Sequence, residues 1–332
     1  MKKNGKGPPH WSEQKEQSAG YWHIRLLLVM FRSFPVILLR LAACPVALVY
    51  WVFSKTARNS SRIFLDQAAA CFEREGKKFT PRVFRHILAF SLTVVEKVEA
   101  WGGKVQLERV RFQDDDIGDL MDRLERKEGA LLICSHLGNA ELLRGLASFN
   151  RTGLSREIPV TSIVDFSVTA YFNRMLKELN HHLDLRVIGA GDIGPDTIIL
   201  LQERLEQGGL VVIAGDRTSA KTRDRYFLLP FLGREAPFAY GSFFLAALLN
   251  VPAYFVFALR RGDISLSSRY DMHVHKNGIS FDCPRREREG RVEELARSFA
   301  EYLEYYCKRH PYQWYNFYDF WNLPAPRETD KG

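Results

Sequence analysis

Residues 129–146, Gly-Ala-Leu-Leu-Ile-Cys-Ser-His-Leu-Gly-Asn-Ala-Glu-Leu-Leu-Arg-Gly-Leu, constrain this chain more than any other stretch. Ala130 to Cys134 is an unbroken apolar run, long enough for a buried strand and too short for a helix. Ser135 to Gly138 has the composition of a turn, and Asn139 is a good N-cap for a helix over Ala140–Leu146. The order predicts His136 in the turn off a strand end and Glu141 in the first helical turn. On one straight helix, side chains five positions apart diverge by roughly 140°. A bend at Gly138 removes that obstacle and lets the Glu141 carboxylate return to the His136 imidazole. A carboxylate that fixes the tautomer and stabilises the imidazolium makes a histidine a general base. Spacing alone carries little, because a His and an acid five apart recur by chance; the strand–turn–helix setting gives the pair its weight.

The same alternation recurs along the chain. Strands are expected at Val105–Phe112, Pro159–Asp165, Arg186–Ile188, Leu210–Ala214 and Ala253–Leu259. Helices are expected over 61–75, from Thr80-Pro81 to Trp101, and over Val168–His182, Pro195–Gln207, Tyr240–Asn250 and Arg291–His310. This predicts an α/β fold with a central mixed, largely parallel sheet flanked by helices. With 332 residues, 46% of them hydrophobic, the chain can bury a full core. Ligands of such sheets bind outside the carboxyl ends of the strands, so His136 and Asp216, each following a strand, can share one rim. The five Cys are scattered with no CxxC spacing, which fits a reducing compartment, and Cys134 reads as a packed thiol rather than a nucleophile. Asp114-Asp115-Asp116 reads as a solvated loop, since three consecutive acids point in different directions; no metal site is expected. The aromatic tail 310–321 suits closure of the domain or the lining of a pocket.

Net charge is +8. A basic balance fits nucleic acid, anionic lipid or phosphorylated substrates, but no zinc-finger spacing or recognition-helix pattern occurs, and the basic residues cluster beside apolar segments. Residues 24–53 are strongly apolar, and only Leu41–Phe53 is free of charge, too short to span a bilayer alone. Arg25, Arg32 and Arg40 fall within roughly 80° on a helical wheel, a basic stripe suited to a helix at a membrane surface; a tilted span also fits. The expected division is a polar tail at 1–20, a membrane-associated helical segment at 21–60, an α/β domain at 61–322 and a polar tail at 323–332.

One motif points elsewhere. Gly189, Gly191 and Gly194 match the dinucleotide fingerprint, with Asp216 about twenty residues on as a ribose-binding acid. That supports an alternative reading as a nucleotide-binding oxidoreductase. Against it, Asp192 places a carboxylate where the pyrophosphate would lie.

His136-Leu-Gly-Asn-Ala-Glu141 resembles the His-x4-acid block of lysophospholipid and glycolipid acyltransferases. Three further blocks resemble the bacterial lipid A biosynthesis (late) acyltransferases: Val211-Val-Ile-Ala-Gly-Asp216-Arg217, Leu228-Leu-Pro-Phe-Leu-Gly233-Arg-Glu-Ala-Pro followed by Gly241, and Pro252 with the strand to Arg260-Arg261. Pro311-Tyr-Gln313-Trp314 resembles the closing block, and the resemblance covers roughly 20–322. Where that family ends in an aromatic-His-Arg-Arg cluster, this chain has Tyr315-Asn-Phe-Tyr-Asp-Phe, which marks a divergent branch similar to acyltransferases associated with aryl-polyene-type lipids. The resemblance implies transfer of a fatty acyl group from an acyl carrier protein or coenzyme A thioester to a lipid or glycolipid hydroxyl, with no bound cofactor. It implies an inner membrane location in a Gram-negative bacterium, the catalytic domain facing the cytoplasm. His136 and Glu141 are then the catalytic pair, and Asp216, Arg217 and Gly233 bind or shape the substrate site. A non-catalytic lipid-binding protein is the further alternative.

Overall fold

Apolar runs bounded by turn residues become the middle of a seven-stranded sheet. The computed structural model describes residues 29–31, 33–113, 116–148, 152–164, 186–217, 225–267 and 269–323. The tail expected at 1–20, Arg25, Arg32, Asp114, Asp115, the helix expected over Val168–His182 and residues 324–332 lie outside them.

The strands are β1 (Val110–Phe112), β2 (Ala130–Gly138), β3 (Val160–Val164), β4 (Arg186–Gly189), β5 (Leu210–Ala214), β8 (Ala253–Arg260) and β9 (Tyr270–Lys276), in the order β1-β9-β8-β2-β5-β3-β4. Every neighbouring pair is parallel except β8–β9. β2 is central and β8 is buried along its whole length, so both read as continuous apolar runs: a sheet covered on both faces leaves no polar side. Alternate residues of β2 enter opposite cores. Leu131 and Ile133 join Phe243, Phe255 and Phe299 on one face, while Ala130 and Leu132 join Leu120, Leu142 and Tyr254 on the other. β9 was not expected, because Tyr-Asp-Met-His-Val-His-Lys alternates with polar residues near the sheet's edge. β1 is shorter than expected; residues 107–109 are a 3-10 turn.

A separate hairpin pairs β6 (Tyr226–Phe231) with β7 (Arg234–Ala239). Its turn, Leu232-Gly233, has φ of 49° and 78°, the mirror-image turn that matches strand twist.

The helices are α1 (Val36–Phe53), α2 (Lys55–Arg74), α3 (Val83–Trp101), α4 (Asp116–Glu125), α5 (Glu141–Ser148), α6 (Pro195–Glu206), α7 (Tyr240–Leu249) and α8 (Arg285–Arg309). α2 runs unbroken through residues 60 and 61, across the division expected there. Among the described residues, α1 alone is long and apolar enough to cross a membrane. Its Leu39, Ala43 and Ala47 pack with Leu88, Leu92 and Val95 of α3, while Ile37, Leu38, Leu41, Val49 and Phe53 are exposed. The basic stripe is corrected at Arg40. Its side chain turns inward, pairs with buried Glu99 and donates to the Leu266 carbonyl, so the outward face of α1 is apolar rather than cationic.

Candidate active site

β2 continues past the point where β5 ends. Its register with β8 shifts between Cys134 and Gly138, so His136 lies inside the irregular end of the strand rather than in a turn beyond it. Gly138 has φ +72°, and a Cβ there would lie 2.1 Å from the Ala258 carbonyl oxygen. Only glycine allows β2 to end against β8 in this conformation. Asn139 then opens α5 as expected: its side-chain oxygen accepts from the Glu141 amide at 3.2 Å.

The irregularity brings His136 to the residue two past β5. Asp216 Oδ1 lies 2.8 Å from His136 Nδ1, and Asp216 Oδ2 accepts from the His136 amide at 2.8 Å. Trp314 Nε1 donates to that same Oδ2 at 2.9 Å. The carboxylate expected from Glu141 therefore comes from Asp216. Glu141, on the far side of the Gly138 bend, accepts from Trp101 Nε1 at 3.1 Å, at the end of α3. The physical reason is that β2 carries His136 alongside β5, where Asp216 is already in reach, while α5 starts beyond the bend.

Three hydrogen bonds into a fully buried carboxylate define its state. Burial alone would raise the Asp216 carboxyl, but His136, its hydrogen bonds and the Arg217 guanidinium bring it below its ordinary value. The ionised Asp216 holds the proton of the imidazole on Nδ1 and leaves the Nε2 lone pair to act as base. The His136 side chain is 29% exposed, so one edge of the ring is reachable. Desolvation, followed by the Arg217 charge, lowers its pKa against the pull of Asp216.

The C-terminal aromatic stretch completes the site. Leu137 and Trp314 form an antiparallel bridge, with the Gly138 amide on the Gln313 carbonyl at 2.8 Å and the Tyr315 amide on the His136 carbonyl at 3.0 Å. Gln313 also brackets Arg260 at the end of β8, accepting from its amide and donating to its carbonyl. Arg217 donates to Asn316 Oδ1 at 3.0 Å and to the Tyr315 carbonyl at 3.1 Å. Buried His86 of α3 bridges Ser61 and the Trp314 carbonyl, and burial lowers its pKa to about 4. The roles of Trp314, Gln313 and Asn316 escaped the sequence reading, although the Pro311–Trp314 block was singled out; nothing in its spacing indicates which strand end it returns to.

Backbone N–H groups around Gly138 are already used. Those of His136, Leu137, Gly138 and Asn139 donate to Asp216, Ser135 Oγ, the Gln313 carbonyl and the Ala258 carbonyl. Two cations act on the His136 ring, Arg217 more strongly than Lys97. Gly233 is the second residue of the β6–β7 turn, whose carbonyls are held by Arg74 of α2, and its surroundings there are those of a turn rather than of the imidazole. Cys134 is buried, with Sγ 3.4 Å from the Ile213 carbonyl oxygen.

The dinucleotide alternative does not fit. β4 is the edge strand, separated from β5 by β3, and the Asp216 oxygens it would need for a ribose are buried on His136 and Trp314. Among the described residues no three His, Cys, Asp or Glu side chains converge as metal ligands. The model of one protein family, described as bacterial lipid A biosynthesis acyltransferase, matches residues 10–322. No curated protein matches the chain.

Proposed function

The chain belongs to the bacterial lipid A biosynthesis acyltransferase family, a family of lipid-acting acyltransferases, and from that premise we propose that it moves a fatty acyl group from a thioester to a hydroxyl of a membrane lipid or glycolipid. The His136–Asp216 contact carries the reading: 2.8 Å between Nδ1 and Oδ1, on a histidine whose side chain stays 29% exposed. A hydroxyl is a weak nucleophile at neutral pH and needs a base at its proton. His136 Nε2 takes that proton as the oxygen attacks the thioester carbonyl. Asp216 stabilises the imidazolium, and Arg217 stabilises the oxyanion of the tetrahedral intermediate. Collapse of the intermediate expels the thiolate, which receives the proton from Nε2, and the imidazole returns to its starting state. Glu141, bonded to Trp101 beyond the bend, is not the partner of the imidazole in this scheme. Gly233 shapes the hairpin turn without touching substrate.

The donor is an acyl carrier protein or a coenzyme A thioester, and no bound cofactor is needed. The exposed apolar face of α1 supports attachment to a membrane, and the family supports placing it at the inner membrane of a Gram-negative bacterium; the cytoplasmic side for the catalytic domain is part of the proposal. Arg40, in the second turn of α1, is bound inside the protein, and Leu39, Ala43 and Ala47 pack on α3, so one side of α1 is taken by protein; this supports a helix lying in the interface. The test is acyl transfer by membrane fractions supplied with either thioester, with lipids followed by mass spectrometry. His136→Ala should remain folded and membrane-associated while transfer falls by orders of magnitude. Near-normal turnover in that variant removes the general-base role. Lipid extraction without thioester consumption by the wild type assigns a binding protein instead.

A further inference from the structure

A cleft of about 780 Å³ opens between the first turn of α1 and the loop joining β8 to β9. One wall is Val36 and Ile37, continuous with the exposed apolar face of α1. The other carries Lys104, Arg109, Arg261 and Arg269. The buried Arg40–Glu99 pair also lines the cleft, and Arg40 Nε has no hydrogen-bond partner. Arg261 is paired with Asp271, and Lys104 donates to the Phe31 carbonyl. Glu108 is the one other acid on the lining. Among the described residues Arg109 and Arg269 make no ion pair, so the cleft holds uncompensated positive charge beside a surface suited to acyl chains.

We propose that this cleft seats the phosphate headgroup of an anionic bilayer phospholipid. A lipid whose tails meet the outward face of α1 brings its headgroup to the level of Val36 and Ile37, where Arg109 and Arg269 can grip it. Guanidinium groups suit this task because they offer paired donors to phosphate oxygens. An acidic carrier protein would satisfy the charges but not the apolar wall. The proposal rests on α1 lying in the membrane, and the test separates the two.

The full chain is floated with vesicles of phosphatidylcholine alone and with added phosphatidic acid. The wild type should bind both, and the acidic vesicles more tightly. Arg109→Gln/Arg269→Gln should cut that excess by about thirtyfold and leave binding to neutral vesicles unchanged. Arg285→Gln/Arg286→Gln, at exposed positions on α8 outside the cleft, should keep the excess. An excess that survives the cleft variant, or is lost equally in the α8 variant, overturns the proposal. So does an unchanged excess accompanied by lost binding of acyl carrier protein, which assigns the cleft to the donor. Failure of the wild type to bind neutral vesicles refutes the placement of α1, whereas neutral binding with no acidic excess refutes only the cleft.

Discussion

Replacing Asp216 with asparagine asks which acid serves the imidazole. The two N–H groups that share Oδ2, from His136 and Trp314, can both be accepted by an amide oxygen in the same place. The amide NH2 then faces Nδ1, which must become the acceptor, and the proton moves to Nε2. The ring is held but no longer has a basic Nε2. The equivalent change in a Ser-His-Asp triad costs roughly 10⁴-fold in kcat. We expect the same order here, about 5 kcal/mol of transition-state stabilisation. The loss of charge-assisted hydrogen bonds should lower stability by only about 1–3 kcal/mol, so the variant stays folded. Glu141→Gln disturbs a contact to Trp101 away from the imidazole and should cost about a hundredfold at most, the bottom of the 10²–10⁴ range of a group that moves the proton. The assay is initial-rate transfer from an acyl thioester in membranes, with thermal unfolding measured on the same preparations. Asp216→Asn within tenfold of wild type, or Glu141→Gln as damaging as Asp216→Asn, refutes the assignment.

Arg217→Gln removes a charge that depresses the His136 pKa. His136 acts as a base only when neutral, so the acid limb of kcat/KM should move to higher pH while the plateau falls; an unmoved limb counts against the electrostatic role. Arg40→Ala takes the cation from buried Glu99 and should destabilise the protein by about 3–5 kcal/mol. Were Arg40 at the lipid surface instead, denaturation would be unaffected and binding to anionic vesicles weakened. His86, with its pKa lowered to about 4, favours the folded state fully above its ordinary value of 6.5, and this is lost as pH falls toward 4. Glu96, raised by burial to about 7, acts oppositely: its contribution is present below 4.5 and lost as pH rises through 7. The His86 effect is therefore read by difference, and the advantage of wild type over His86→Gln should shrink by about 3 kcal/mol between pH 7 and pH 4 in denaturant titrations. A constant difference refutes the buried neutral histidine.

Much of the frame was legible in local pattern. Leu210–Ala214 and Ala253–Leu259 are strands because short apolar runs between turn residues have no other way to bury themselves. His136 and Asp216 were expected on one rim from chain order alone, and they are there. The strands whose character depends on partners were not legible: β9 takes its place from antiparallel pairing with β8, and β6–β7 from a turn whose geometry declares itself only in φ. The site divided the same way. Sequence determined that a histidine, two acids and an arginine would gather near strand ends. Tertiary structure decided which acid the imidazole meets, because that depends on how far β2 runs beside β5 before Gly138 ends it. It also decided that Arg40 faces Glu99 rather than lipid, and that Trp314 closes on Asp216 across 98 positions of chain. Such contacts are governed by packing of distant segments, and helical or strand periodicity carries no information about the partner on the other side.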